Sequence, residues 1–349
     1  MIINKDFNLL ETTLRDGNYI VNFQFTAEDT ANLAKTLEIA GIKFIEIGHG
    51  LGLGASRTFS PAASTDVEYI KNTKKNVTTS KIGMFAIPGI ANLDDIKKAA
   101  DEGLDFIRIG ADVKNTNQMQ KYIELARKLN LFTCTNFMKT GSTDPESFAK
   151  FASMAEDFGS EMIYIVDSAG NMLPQELEKY INYLSLNIEI PFGYHGHDNI
   201  GLANANSLIA FTNNALMIDC TLLGLGRGSG NASTEVMANI IKNKYNKLQN
   251  INGNLLLHLA DLKIEKLSKL QTSKAEATVY GLNNIHSMYS NKIKTFANKH
   301  KVDLYKLVKE VGQIDVVDCN DDILYNAKQK IKKNDDIKIA KNTKFCEKF

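Results

Sequence analysis

The sequence predicts an α/β protein, a (β/α)8 TIM barrel with a C-terminal helical domain. Three observations predict it. Eight short β-rich runs alternate with helix-type patterns, each run is followed by a helix candidate, and past residue 252 the strands stop while helical patterning continues. Eight such repeats in roughly 250 residues match the count and size of a closed barrel, whereas an open doubly wound sheet usually has fewer strands. A chain of 349 residues has room for that barrel and an appended domain.

The first strand is expected in "FNLLETTL" (7–14) and the first helix in "TAEDTANLAKTLEIAG" (26–41), which has a threonine start, an acidic first turn and a glycine at its far end. "KFIEIGH" (43–49) and "KIGMFAI" (81–87) follow as strands, and "NLDDIKKAADEG" (92–103) repeats the helix signature. The remaining strands are expected in "DFIRIG" (105–110), "LFTCTNFM" (131–138), "MIYIVDS" (162–168), "IPFGYHGH" (190–197) and "MIDCTLLGL" (217–225). This places the barrel at 1–251. Segments 254–271, 283–300 and 303–312 read as helices of a C-terminal domain, 252–333. The end of the chain, 328–349, carries eight lysines against three acids, and 334–349 is expected to be a solvated Lys-rich tail.

Forty-one Lys+Arg against forty Asp+Glu leave a net charge of +1, so nothing in the balance calls for nucleic acid or a membrane surface. A small-molecule partner is the default. The chain opens without an apolar run of signal-peptide length and offers no stretch suited to a membrane span, which points to a cytoplasmic protein. Cys134, Cys220, Cys319 and Cys346 are scattered without CxxC spacing, as expected of reduced thiols.

Barrel chemistry sits at the carboxyl ends of the strands, where "RDG" (15–17) and "YHGHDN" (194–199) both fall. Residues i and i+2 of a strand share a face, so His195 and His197 can enter one mouth. The first and seventh strands are separated only by the eighth, which lets Asp16 approach both. One carboxylate and two imidazoles make a facial donor set for a divalent cation, Mn²⁺, Mg²⁺, Fe²⁺, Co²⁺ or Zn²⁺, with positions left for substrate. Taken singly each motif is weaker: an HxH also describes hydrogen-bonded mouth residues, and an RDG also describes a turn. The glycine-rich "LLGLGRGSGN" (222–231) is expected to build an anion pocket from backbone N–H groups, and His49 to be a hydrogen-bonded mouth residue rather than a ligand.

Together "TTLRDG", "IEIGHGLGLGAS", "GYHGHDNIGLANANS" and "LLGLGRGSGNASTEV" resemble the HMG-CoA-lyase-like metal-dependent aldolase superfamily, and within it the 4-hydroxy-2-oxovalerate aldolases. The resemblance runs through the barrel into the helical domain. It implies a carbon–carbon lyase that cleaves or forms a 4-hydroxy-2-oxo acid from pyruvate and an aldehyde through a metal-stabilised enolate. Asp16, His195 and His197 match the metal ligands, with Mn²⁺ the expected ion and Mg²⁺, Co²⁺ or Zn²⁺ the alternatives. Arg15 matches the arginine that steadies the enolate. The resemblance also raises self-association and an aldehyde-processing dehydrogenase partner for the helical domain.

Position 19 departs from the pattern. The aldolases usually carry a histidine there as acid/base, reached by a tyrosine of the C-terminal domain; here Tyr19 takes the first place and His286 the second, with Tyr289 a rival match. An exchanged pair is expected, with His286 as the base because an imidazole titrates near pH 6.5 and a phenol near 10. Two further functions are weighed: an acyl-CoA-dependent Claisen-type synthase or lyase of the same superfamily, and a catalytically retired partner subunit. Retention of Arg15, Asp16, His195 and His197 argues against the second.

Overall fold

The computed structural model describes residues 6–316 and 318–331. The expected Lys-rich tail, 334–349, and Cys346 lie outside them. Eight parallel strands close into a barrel in chain order: β1 (Asn8–Glu11), β2 (Phe44–Glu46), β3 (Lys81–Ala86), β4 (Phe106–Asp112), β5 (Phe132–Met138), β6 (Met162–Asp167), β7 (Phe192–Gly196) and β8 (Met217–Cys220). Closure is made by β8 against β1, in the register Asn8 to Met217 through Glu11 to Cys220.

The helices begin where the sequence supplies caps. Thr26, Thr65 and Asn92 each accept the N–H three residues on, from Asp29, Glu68 and Asp95, whose carboxylates return a bond to the capping residue's N–H. Gly41 and Gly103, both at positive φ, follow the helices Ala27–Ile39 and Leu93–Asp101. No helix among the described residues is long and apolar enough to cross a membrane.

Strand alternation sorts the core into two layers. Ile45, Ile82, Ile107, Ile163 and Ile218 face outward into the helix-packed cluster. Leu10, Phe44, Phe106, Phe132, Met162, Tyr164 and Met217 fill the barrel itself. Gly83 makes room for that filling, since a Cβ there would lie 2.1 Å from the Phe106 ring. Above this apolar floor the inward positions Glu46, Arg108 and Asp219 are charged and fully buried.

The C-terminal helices from Lys274 onward gather around a separate cluster that includes Tyr280, Ile293, Leu307, Val311 and Leu324, whereas Leu256, Leu259 and Ile264 before them join the barrel's own cluster. Their layout differs from the expectation. Segment 254–271 is broken by a π turn, Ala260–Ile264, between the helices Gly253–Leu259 and Glu265–Ser268. A further helix, Lys274–Leu282, precedes the site expected to begin a helix at 283. Asn284 takes a left-handed φ of 53°, so 283–286 is a connector, and the helix proper is Ser290–His300. His286 therefore sits in extended backbone, capping the short turn Ser287–Tyr289. Leu304–Gly312 forms as expected, and Asp321–Lys330 adds a last helix. Cys134, Cys220 and Cys319 are buried free thiols.

Candidate metal centre and active site

Asp16 follows β1, while His195 and His197 stand at the end of β7. Their donor atoms lie within 4.8 Å of one another, and all three residues are buried. The tautomers suit a cation. His195 Nδ1 donates to Asp219 Oδ2 at 2.8 Å and His197 Nδ1 to the Gly230 carbonyl at 3.2 Å, so each ring keeps its Nε2 lone pair free. Burial, before any neighbour, lowers the basicity of His197 to about 3. Burial would raise the Asp16 carboxyl, but Arg15, His197 and His195 outweigh it and hold it well below the usual range. Two imidazoles beside an ionised carboxylate are a fitting donor set for a hard or borderline divalent ion.

Arg15 is gripped on two sides, its Nε by Glu46 Oε2 at 2.6 Å and its Nη1 by Asp16 Oδ1 at 3.1 Å, and it lies over the Phe85 ring. Glu46 in turn accepts from Arg108 Nε at 2.7 Å and Nη2 at 2.6 Å. Arg108 Nη1 donates to Asp219, the carboxylate that orients His195. A chain of alternating charge thus runs through the barrel from Asp16 to His195. The sequence reading missed Glu46, Arg108 and Asp219. Their signal was present, since each is a charged residue at an inward position of a strand whose neighbours are apolar.

The glycine loop after β8 supplies side chains to the mouth, and the next helix, Thr234–Tyr245, starts beyond it. Asn231 Nδ2 donates to Asp16 Oδ2 at 2.6 Å. Gly226 permits that contact, as a Cβ there would lie 2.2 Å from Asn231 Nδ2. Arg227 enters the mouth, its guanidinium 5.2 Å from the centre of the Tyr19 ring and its Nη2 2.8 Å from His286 Nε2. His49 donates through Nε2 to Ser60 O at 3.1 Å and accepts from Leu51 N–H at Nδ1, so it braces its loop.

Tyr19 packs on Gly50, where a Cβ would fall 2.5 Å from its ring, and lines one cavity with Arg15, His195, His197 and Arg227. His286 lines the adjoining hollow, with Ser168 on the wall of both. The two members of the expected pair thus flank Arg227, which bridges them. His286 Nδ1 accepts the Met288 N–H at 3.2 Å. Arg227 Nη2 and the Met288 N–H thus point at the two nitrogens of one ring, and a neutral imidazole accepts at only one of them. Burial, then Arg227 and His197, push the basicity of His286 well below 6.5, so the ring is neutral near neutral pH. Tyr289 stands 6.5 Å from His286, with the Lys139 ammonium over its ring.

Fold and donor set define a (β/α)8 barrel with a metal-type triad at its carboxyl-terminal mouth. A family profile described as HMGL-like matches residues 6–262, and the chain belongs to that family. It is 31% identical over 340 residues to the 4-hydroxy-2-oxovalerate aldolase of Carboxydothermus hydrogenoformans, covering 94% of this chain and 98% of that one. It is 36% identical over 229 residues to the oxaloacetate decarboxylase of Mycobacterium tuberculosis, covering 66% and 68%. The carboxyl transferase domain of Rhizobium etli pyruvate carboxylase shares the fold, with a TM-score of 0.78 at 14% identity over 95% of this chain and 62% of that domain.

Proposed function

We propose that the protein is a divalent-metal-dependent pyruvate aldolase, a carbon–carbon lyase that cleaves or forms a 4-hydroxy-2-oxo acid. The observation that carries this is the convergence of Asp16 with two imidazoles whose Nε2 lone pairs are free, beside an arginine held in place on two sides. Asp16, His195 and His197 are the proposed ligands. When bound, the cation, for which we propose Mn²⁺, supplies Lewis-acid stabilisation to the developing pyruvate enolate.

Arg15 adds a fixed cation to the same charge. With two of its nitrogens engaged by Glu46 and Asp16, its plane is set before substrate arrives, so little reorganisation is needed as charge grows. Tyr19 holds the proton at the 4-oxygen: its O–H protonates that oxygen in carbon–carbon bond formation, and its phenolate takes the proton back in cleavage. Burial raises the phenol above 10, and Arg227 over the ring offsets part of that cost. His286 stands against Arg227 at 2.8 Å and positions it.

A second reading is favoured by the oxaloacetate decarboxylase relative, since loss of CO₂ from oxaloacetate leaves the same pyruvate enolate. Arg227 weighs against it. A guanidinium near the departing carboxylate stabilises the ground state more than a transition state whose charge is moving into the enolate. Self-association and a dehydrogenase partner are proposed on the resemblance alone.

The test is exchange of the pyruvate methyl protons in D₂O, followed by NMR, then carbon–carbon bond formation with a panel of aldehydes. Exchange should require Mn²⁺ and stop with a chelator. It should fall by about 10³-fold or more in Asp16→Asn and His197→Ala, the rate equivalent of several kcal/mol of Lewis-acid stabilisation. Full exchange in chelator would overturn the assignment.

A further inference from the structure

Arg227 brings a cation into the mouth with no carboxylate paired to it. None of the ion pairs among the described residues includes it, although Arg15 and Arg108 nearby are each doubly paired. Its Nε is buried without a hydrogen-bond partner. Its Nη2 lies 2.8 Å from His286 Nε2. The Met288 N–H points at Nδ1 of the same ring, and a neutral imidazole accepts at only one nitrogen, so the ring cannot satisfy both donors. Asp16 accepts from Arg15 and Asn231 and forms no ion pair with Arg227. An unpartnered donor on an unpaired guanidinium is costly in a buried setting, and an anionic acceptor beside Arg227 relieves both.

We propose that Arg227 and His286 form the subsite for a carboxylate on the aldehyde half of the substrate, so that the enzyme joins pyruvate to a carboxylate-bearing aldehyde and makes a 4-hydroxy-2-oxo diacid. This rests on the aldol chemistry proposed above. Pyruvate loses a C3 proton to solvent to give the enolate; C3 bonds to the aldehyde carbon, the carbonyl π pair moves to oxygen, and that oxygen takes one proton from Tyr19, which regains one from solvent. One proton leaves and one returns, so no other reactant is consumed. A planar fork matches the two oxygens of a carboxylate better than the tetrahedral face of a phosphate.

The experiment compares kcat/KM, with Mn²⁺ and pyruvate, for succinic semialdehyde, its neutral counterpart butyraldehyde, and glyceraldehyde 3-phosphate. Succinic semialdehyde should be preferred over butyraldehyde by about 10- to 100-fold, the usual worth of hydrogen bonds to a charged group. Arg227→Gln, which keeps size and loses charge, should erase the preference mainly through KM, and Arg227→Lys should restore part of it. His286→Ala should weaken it in the same direction. No preference in the wild type, a preference that survives Arg227→Gln, or a stronger response to the phosphate would each overturn the assignment. Proton exchange into pyruvate separates the levels: if exchange occurs and the charge preference does not, the carboxylate subsite alone is wrong; if exchange is absent, the aldolase reading and this subsite fall together.

Discussion

His197 stays neutral far into acid because burial opposes its charging, which lowers its basicity to about 3 and leaves Nε2 open throughout the neutral range. Tyr19 meets the same force with the opposite sign: burial keeps its phenol protonated, so it is poised to give a proton and not to take one first. His286 meets two N–H donors, Met288 and Arg227, with one lone pair, and so steadies Arg227 at the mouth. Tyr19→Phe should therefore lose about 10²–10⁴-fold in carbon–carbon bond formation, the range of general acid–base catalysis, and lose far less in pyruvate proton exchange, which needs no 4-oxygen. His286→Ala should act mainly on aldehyde binding. Comparable losses of kcat in both variants, measured with the same substrate, would return the proton to His286.

At the scale of elements, β2, β4 and β8 each send one charge into the barrel, and the chain Asp16–Arg15–Glu46–Arg108–Asp219–His195 ties the mouth of β1 to that of β7. Burial disfavours every charge in it, and the partners outweigh burial: Glu46 and Asp219 stay ionised below the usual carboxylate range because Arg108 faces both. Asp219→Asn should cost about 3 kcal/mol in urea unfolding, because Arg108 is left with an unbalanced buried charge. It should also weaken Mn²⁺ binding by about 10- to 100-fold, read by calorimetry, since His195 loses its orienting carboxylate.

Glu11 behaves differently. It ends β1, is fully buried, accepts from Thr13 N–H and Leu222 N–H, and faces no cation, so burial raises it to about 7. The folded state then binds a proton that the unfolded chain releases near 4.5. Its contribution is greatest below pH 4.5 and is lost as pH rises through 7, about 3 kcal/mol in all. Urea melts of wild type and Glu11→Gln at pH 4.5 and pH 8 should differ by that amount, with the variant gaining relative stability at the higher pH. A difference that does not change with pH would show that Glu11 is ionised throughout.

The whole molecule has two apolar centres of unequal size, the barrel with its helices and the smaller cluster of the C-terminal helices. A smaller core opens at lower cost, so backbone amides of Leu304–Gly312 and Asp321–Lys330 should exchange with D₂O well before those of β4, β5 and β6 in mass spectrometry. Equal protection would mean that the two centres unfold as one. Strand number, order and the place of Asp16, His195 and His197 were legible in the chain because each depends on local alternation and on the strand-end position of two short motifs. So was Arg15, by its adjacency to Asp16. The role of Arg227 was not: a glycine-rich loop shows its flexibility in the sequence, but where its one cation lands depends on the fold of 222–231 against His286, which is contributed 59 residues later. The buried chain through Glu46, Arg108 and Asp219 was equally hidden, because pairing charges on three different strands requires the closed barrel and its register. The sequence by itself determined a (β/α)8 barrel and the kind of donors at its mouth; only tertiary structure decided how the imidazoles are oriented and which arginine is unpaired, since those depend on burial and on hydrogen bonds between residues far apart in the chain.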